Sequence, residues 1–237
     1  VTLFVSYGVV LLGLVTALWY GVYDPPGDIR LAGSFVAGYD AFFLLCAMSL
    51  LSARPAARPL WDGKFFLNLH RLLAILLLGL LLLHAALFLS LGRVTFVYLT
   101  PAAPWPMLAG LGAGLALLLC FGTSASLSVI KRLYADARHF DLLHRGIAAA
   151  AVLLAAVHIV LSRDHATSAV AQALIWSGAG LALLAPSLRR MRIFAATGRK
   201  RGQKRRRVAA ALPARLVLGF ALLCLAAGLP LILRTLR

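Results

Sequence analysis

The 237-residue sequence has no glutamate, and its seven acidic residues are all aspartate, against 24 lysines and arginines. A proton relay through a membrane needs acidic partners that this chain largely lacks. Only Asp40 falls well inside an apolar run. Cysteine is equally scarce: Cys46, Cys120 and Cys224 lie singly in apolar segments. There is no CxxC pair, no CxxCH attachment site and no disulfide framework, and each thiol reads as a packing residue. A covalently attached c-type haem and a cysteine-ligated iron–sulfur cluster are thereby excluded. Any redox cofactor must be held by other ligands, and histidine is the remaining candidate.

What the chain has in excess is apolar surface. Hydrophobic residues make up 62% of it and the mean hydropathy is +0.92, whereas soluble domains run at about 45–50% apolar. The apolar residues arrive in blocks close to the ~20 residues that cross a hydrocarbon core. Seven spans are read: Leu3 to Tyr20, Leu31 to Ser52, Phe65 to Leu91, Pro104 to Cys120, Phe140 to Leu161, Ala169 to Leu188 and Ala209 to Leu233. The expected fold is all-α, a polytopic transmembrane helix bundle of about seven spans. Residues 1–190 form the main membrane domain, 191–208 a basic loop and 209–237 an additional C-terminal helix. No repeat of fixed period is apparent. The start, at Val1, shows no basic stretch followed by a small-residue cleavage site, and further residues can precede it.

The net charge of +17 would suggest nucleic acid in a soluble protein. Here the basic residues sit in loops between apolar blocks, with no aromatic-interleaved basic surface, so lipid is the expected partner and nucleic acid is not. Nineteen Lys and Arg fall on one side of the seven spans and five on the other, namely Arg30, Arg93, Arg163, Arg234 and Arg237. By the positive-inside rule the N-terminus is cytoplasmic and the C-terminus outside, in a bacterial-type plasma (inner) membrane.

His70 and His84 lie fourteen residues apart on the third span, and His144 and His158 fourteen apart on the fifth. Fourteen residues return a helical side chain to nearly the same face, about 21 Å along the axis. The third and fifth spans run in the same direction, so His70 can face His144 near the cytoplasm and His84 can face His158 near the outside. Two bis-histidine sites for two b haems follow, and iron held by two imidazoles suits electron transfer. Ala74, Gly79, Ala148, Ala149, Ala150, Ala151, Ala155 and Ala156 are expected to make room for the macrocycles. A hydrogen bond within the bundle is the commoner fate of one isolated histidine, but matched spacing on two co-directional helices argues for ligation. Zinc or copper transport is disfavoured, because each level offers two ligands where zinc usually takes four. His139, on the loop before the fifth span, and His165, just after it, fall outside this geometry.

The stretch ending SARPAARPL, then LHRLLAILLLGLLLLH, then LLHRGIAAAAVLLAAVH resembles the ferric reductase-like transmembrane domain. That family includes ferric reductases, NADPH oxidases and the haem-binding membrane subunit of the bacterial methionine sulfoxide reductase system. The resemblance spans roughly the second to sixth segments. It implies a six-helix di-haem core, with His70, His84, His144 and His158 as haem ligands and electrons passing from the cytoplasmic to the outer haem. Ferric reductases and NADPH oxidases continue into a flavin and nicotinamide domain, whereas here a basic loop and a seventh span follow, and no GxGxxG loop appears. The expected donor is therefore a separate flavoprotein or a quinol, and the acceptor an outer-side protein or small molecule. A bound flavin or quinone stays open. The expectation is a membrane electron-transfer subunit of an oxidoreductase system rather than a complete enzyme. A structural or assembly subunit of a larger membrane complex is the alternative from another class. A quinone-linked cytochrome b is the near competitor, although there is no glutamate and no PEWY-like motif.

Arg71 and Arg145 each follow a cytoplasmic-level histidine, placed either to pair with haem propionates or to snorkel to headgroups. Arg93 and Arg163 are weaker candidates for the outer haem. Asp40 lies by residue count at the depth of His84, as a structural hydrogen-bonding group or an acceptor for an imidazole N–H. The run from Arg189 to Arg207 attracts anionic lipid or docks an acidic donor.

Overall fold

The computed structural model describes residues 27–52, 63–124, 137–162 and 169–190. The first and seventh spans, the basic run beyond Arg190, Arg54, Arg58, Arg163 and His165 lie outside the described residues. All regular structure among the described residues is helical: α1 (Ile29–Ser52), α2 (Gly63–Leu89), a 3-10 helix (Arg93–Leu99), α3 (Trp105–Ser124), α4 (Ala137–Leu161) and α5 (Ala169–Arg190). His139 is thus an exposed residue in the first turn of α4, not on a loop as its polar neighbours suggested. The α-helices run from 20 to 27 residues, or about 30–40 Å at 1.5 Å per residue.

Segments within α1 to α4 are long and apolar enough to cross a membrane: Ile29–Ser49, Leu67–Leu89, Trp105–Ser124 and His139–Leu161. The apolar part of α5, Ala169–Leu184, is shorter. In hydrocarbon every backbone N–H and C=O needs an internal partner, which is why such runs become helices.

The ends carry their own signals. Asp28 caps α1: its Oδ1 accepts the Arg30 N–H at 2.8 Å and its carbonyl accepts the Ala32 N–H at 2.9 Å. The Arg30 guanidinium then donates to the Ser90 carbonyl at 2.9 Å, fastening the start of α1 to the end of α2. Gly92, at φ 148°, turns the chain from α2 into the 3-10 helix through a conformation that L-side chains avoid. Pro104 and Pro106 open α3. The Pro104 carbonyl accepts from Met107 and Leu108, and Pro106 lacks an N–H where the first turn of a helix has no use for one.

α1 is the central helix. Of its membrane window 61% is buried, against 11%, 17% and 22% for α2, α3 and α4, and it packs on α2, α4 and α5. Leu69, Leu73 and Leu77, spaced i, i+4, i+8, are the buried stripe of α2. Ala171, Ile175, Ala179 and Ala182 form that of α5, where the Phe43 ring lies against Gly178. Small residues at such seams let helices approach closely, the main source of association where lipid is as apolar as the side chains.

The closest pairings are α1 with α2 and α3 with α4, while α2 and α4 face one another across open space. That space is where the histidines lie.

Candidate functional site

α2 and α4 run in the same direction, and the structure brings His70 opposite His144 and His84 opposite His158. The ring centres are 6.2 Å apart in the first pair and 6.5 Å in the second, with ring planes crossed at 68° and 72°. A first-row metal sits about 2.0–2.1 Å from an imidazole nitrogen and the ring centre lies roughly 1.1 Å behind it, so two imidazoles trans across one ion have centres about 6.2–6.4 Å apart. Both ring-centre separations are close to that spacing.

Around each gap is a cleft. The first contains about 1020 Å³ of atom-free space, its open mouth included, and is lined by His70, Ala74, His144, Arg145, Ala148 and Ala149 together with Met48, Leu78, Cys120 and Val152. The second, of about 1630 Å³, lies between His84 and His158 and is walled by Gly38, Phe42, Ala85, Phe88, Gly110, Ala113 and Ala155. Tyr98 of the 3-10 helix stands at its end against Phe88, ring centres 5.6 Å apart. Of this space about 160 Å³ in the first cleft and about 320 Å³ in the second admits the centre of a water-sized sphere, against the ~10–15 Å³ that holds one water, so each cleft takes far more than a single ion. Leu45, Leu81 and Leu117 border both clefts and divide them. Among the described residues no cluster of three or more His, Cys, Asp or Glu occurs. Among the described residues each level therefore brings together two imidazoles.

The small residues read from the sequence divide into two groups. Ala74, Ala148, Ala149 and Ala155 line the clefts, whereas Ala151 and Ala156 are fully buried in helix packing and Gly79 and Ala150 are exposed. A run of alanines carries no phase, so its cofactor-facing members could not be separated from its packing members by sequence.

The second pair is held from behind. His84 Nδ1 lies 2.7 Å from the Ser34 carbonyl and His158 Nδ1 lies 2.9 Å from the Pro106 carbonyl. A carbonyl only accepts, so each Nδ1 carries the proton and each Nε2 keeps its lone pair, the form a metal needs. Ser34, fully buried, also donates its hydroxyl to the His84 carbonyl at 3.1 Å. The first pair is held differently. His144 stacks on Phe140, ring centres 5.3 Å apart at 27°, and its buried Nδ1 has no hydrogen-bond partner among the described residues.

Arg145 lines the first cleft and pairs with Asp141 at 2.8 Å. Arg71 is exposed and does not line it. Arg93, in the 3-10 helix, is exposed and away from the second cleft. Asp40 is buried in α1 but lines neither cleft, and the imidazole N–H groups at its depth are taken by backbone carbonyls instead.

Sequence reading missed Ser34, Gly38, Pro106 and Gly110. Their only local signal is an Ala-Gly step, which occurs twice on each helix preceding an HR...H helix, at 32–33 and 37–38 and at 109–110 and 113–114, and only one of each two meets an imidazole. The separation is 50 residues from Ser34 to His84 and 52 from Pro106 to His158. That offset of two hides the correspondence from a search for a fixed period, although α1–α2 and α3–α4 carry the same device.

No family model, curated protein or solved structure matches the chain.

Proposed function

We propose that the chain carries single electrons across a membrane through two b-type haems, one held by His70 and His144 and the other by His84 and His158. The observation that carries the reading is the facing of two imidazole pairs, 6.2 and 6.5 Å between ring centres, each inside an apolar cleft far larger than an ion. When bound, bis-histidine haem supplies a one-electron redox couple at an iron with no open position. The chain's own contribution is to present four imidazole nitrogens, to keep water from the ring faces with Ala, Leu and Phe side chains, and to fix the proton of His84 and His158 on Nδ1. Arg145 sets a cation at the mouth of the first cleft, where a propionate would find it.

In this reading the chain is a seven-span bundle whose six-helix core resembles the ferric reductase-like transmembrane domain, with residues 209–237 as an added helix. The count of nineteen of 24 basic residues on one side of the seven spans supports the His70/His144 level facing the cytoplasm of a bacterial-type inner membrane. The donor is a flavoprotein or a quinol on that side and the acceptor is a protein or small molecule outside, which makes the chain the membrane subunit of an oxidoreductase system. The purified full chain is expected to contain two non-covalent haems, extractable into acid acetone, with b-type bands in the reduced-minus-oxidised spectrum. A folded helical chain that takes up no haem overturns the proposal and leaves a structural or assembly subunit.

A further inference from the structure

We propose that Gly38 and Gly110 are positioning residues that set the tautomer and tilt of the second histidine pair. This inference rests on the haem reading for its consequence but not for its geometry. In an α-helix the carbonyl of residue i points toward residue i+4, whose Cβ flanks any sideways approach to that oxygen. Gly38 is four residues after Ser34 and Gly110 four after Pro106, the two residues whose carbonyls accept from His84 and His158. A Cβ on Gly38 would lie 2.9 Å from His84 Nδ1, and one on Gly110 would lie 2.8 Å from His158 Nδ1 and 2.9 Å from its Cγ. The nearest neighbours at both positions belong to the imidazole alone. Each glycine is the notch through which a ring reaches a helix backbone, and the device occurs twice, on different helices.

The consequence is a pair of ligands prepared before the cofactor arrives. Both Nδ1–H groups are occupied by carbonyls, both Nε2 lone pairs are available, and a hydrogen-bonded imidazole is a stronger donor to iron. The methyl of Gly110→Ala must push the His158 ring off the Pro106 carbonyl, which breaks the hydrogen bond or turns Nε2 from the gap. Gly38→Ala does the same to His84. Gly146, on α4 with nothing within 4 Å of its would-be Cβ, is the control.

The test combines three measurements on the full chain. Histidine ¹⁵N spectra of the haem-free protein should show His84 and His158 as Nδ1–H tautomers, a result that stands or falls whether or not haem binds. In the haem-loaded chain, Gly110→Ala should drop haem content from two to one, or raise one of two midpoint potentials while leaving the other, and Gly146→Ala should change neither. In a His158→Ala background, Gly110→Ala should leave the melting temperature where His158→Ala put it, because the ring it strikes is gone. Nε2–H tautomers, unchanged haem content and potentials in Gly110→Ala, or an equal loss of stability in both backgrounds would each overturn the inference. A wild-type chain without haem but with Nδ1–H tautomers would instead overturn the haem reading alone.

Discussion

The two histidine pairs share residue type, spacing and helix face, yet the second is anchored by the Ser34 and Pro106 carbonyls while the first has a ring stacked on Phe140 and a buried Nδ1 without a partner among the described residues. Around the first there is instead charge, in Arg145 and Asp141. Ligand position and ligand environment are thus separate properties. The helix repeat places all four imidazoles, and the neighbouring helices α1 and α3 decide how strongly each can donate. A hydrogen bond at the far nitrogen favours ferric iron, and a nearby cation favours ferrous iron. With haem bound as proposed, both differences would lower the midpoint potential of the second site relative to the first.

Removal of one histidine should have the largest effect. His158→Ala should take haem content from two per chain to one and leave the first site spectrally intact, and His144→Ala should do the reverse. Equal loss of both haems in each variant would mean that the levels are not independent.

Next comes the order of potentials. The component lost in His84→Ala or His158→Ala should be the lower of the two, separated by some tens of millivolts at about 60 mV per ~1.4 kcal/mol of differential stabilisation. Outward transfer would then be slightly uphill within the chain, offset by a membrane potential, negative inside, of about 2.3 kcal/mol per 100 mV.

Smaller effects are expected at the first site. Arg145→Ala should lower only the first-site potential, and by more than Arg71→Ala, because only Arg145 lines the cleft. Its exposed i,i+4 pair with Asp141 should contribute no more than about 0.3–0.5 kcal/mol to stability. Asp40→Asn should leave spectrum and potentials of both sites unchanged, since Asp40 lines neither cleft; a shifted second-site potential would return it to the imidazole's surroundings.

The smallest expected effect is at the far end of α1. The Arg30 guanidinium holds the Asp28 carboxyl below the usual carboxylate range. With its folded value depressed, its stabilising effect is present above the ordinary carboxylate value and fades as pH falls through the lowered one. The amide protection factor in the first turn of α1, with the intrinsic pH dependence of exchange divided out, should fall on strong acidification and stay unchanged from neutral pH down to the ordinary carboxylate range.

How much was legible in the sequence follows from the same contrast. Helices α1 to α4 begin and end within a few residues of the apolar blocks because water and hydrocarbon set those limits. The facing of His70 with His144 and of His84 with His158 follows from a fourteen-residue spacing on two co-directional helices. What stayed hidden depends on neighbours distant in sequence. Nothing in the α2 and α4 sequences says that His84 borrows a carbonyl from α1 and His158 one from α3. Gly38 and Gly110 read as ordinary small residues in apolar helices until the imidazoles are seen against them. Arg71 and Arg145 occupy equivalent positions after a histidine, and only packing tells that one faces the cleft.

Whether the four histidines hold two separate haems is decided by an anaerobic potentiometric titration of the purified full chain, followed in the α-band and repeated on His158→Ala. Two b-type components of nearly equal amplitude, with the lower one missing from His158→Ala, is the predicted result. A single component, or none, from wild-type protein with its helical circular dichroism intact would contradict it.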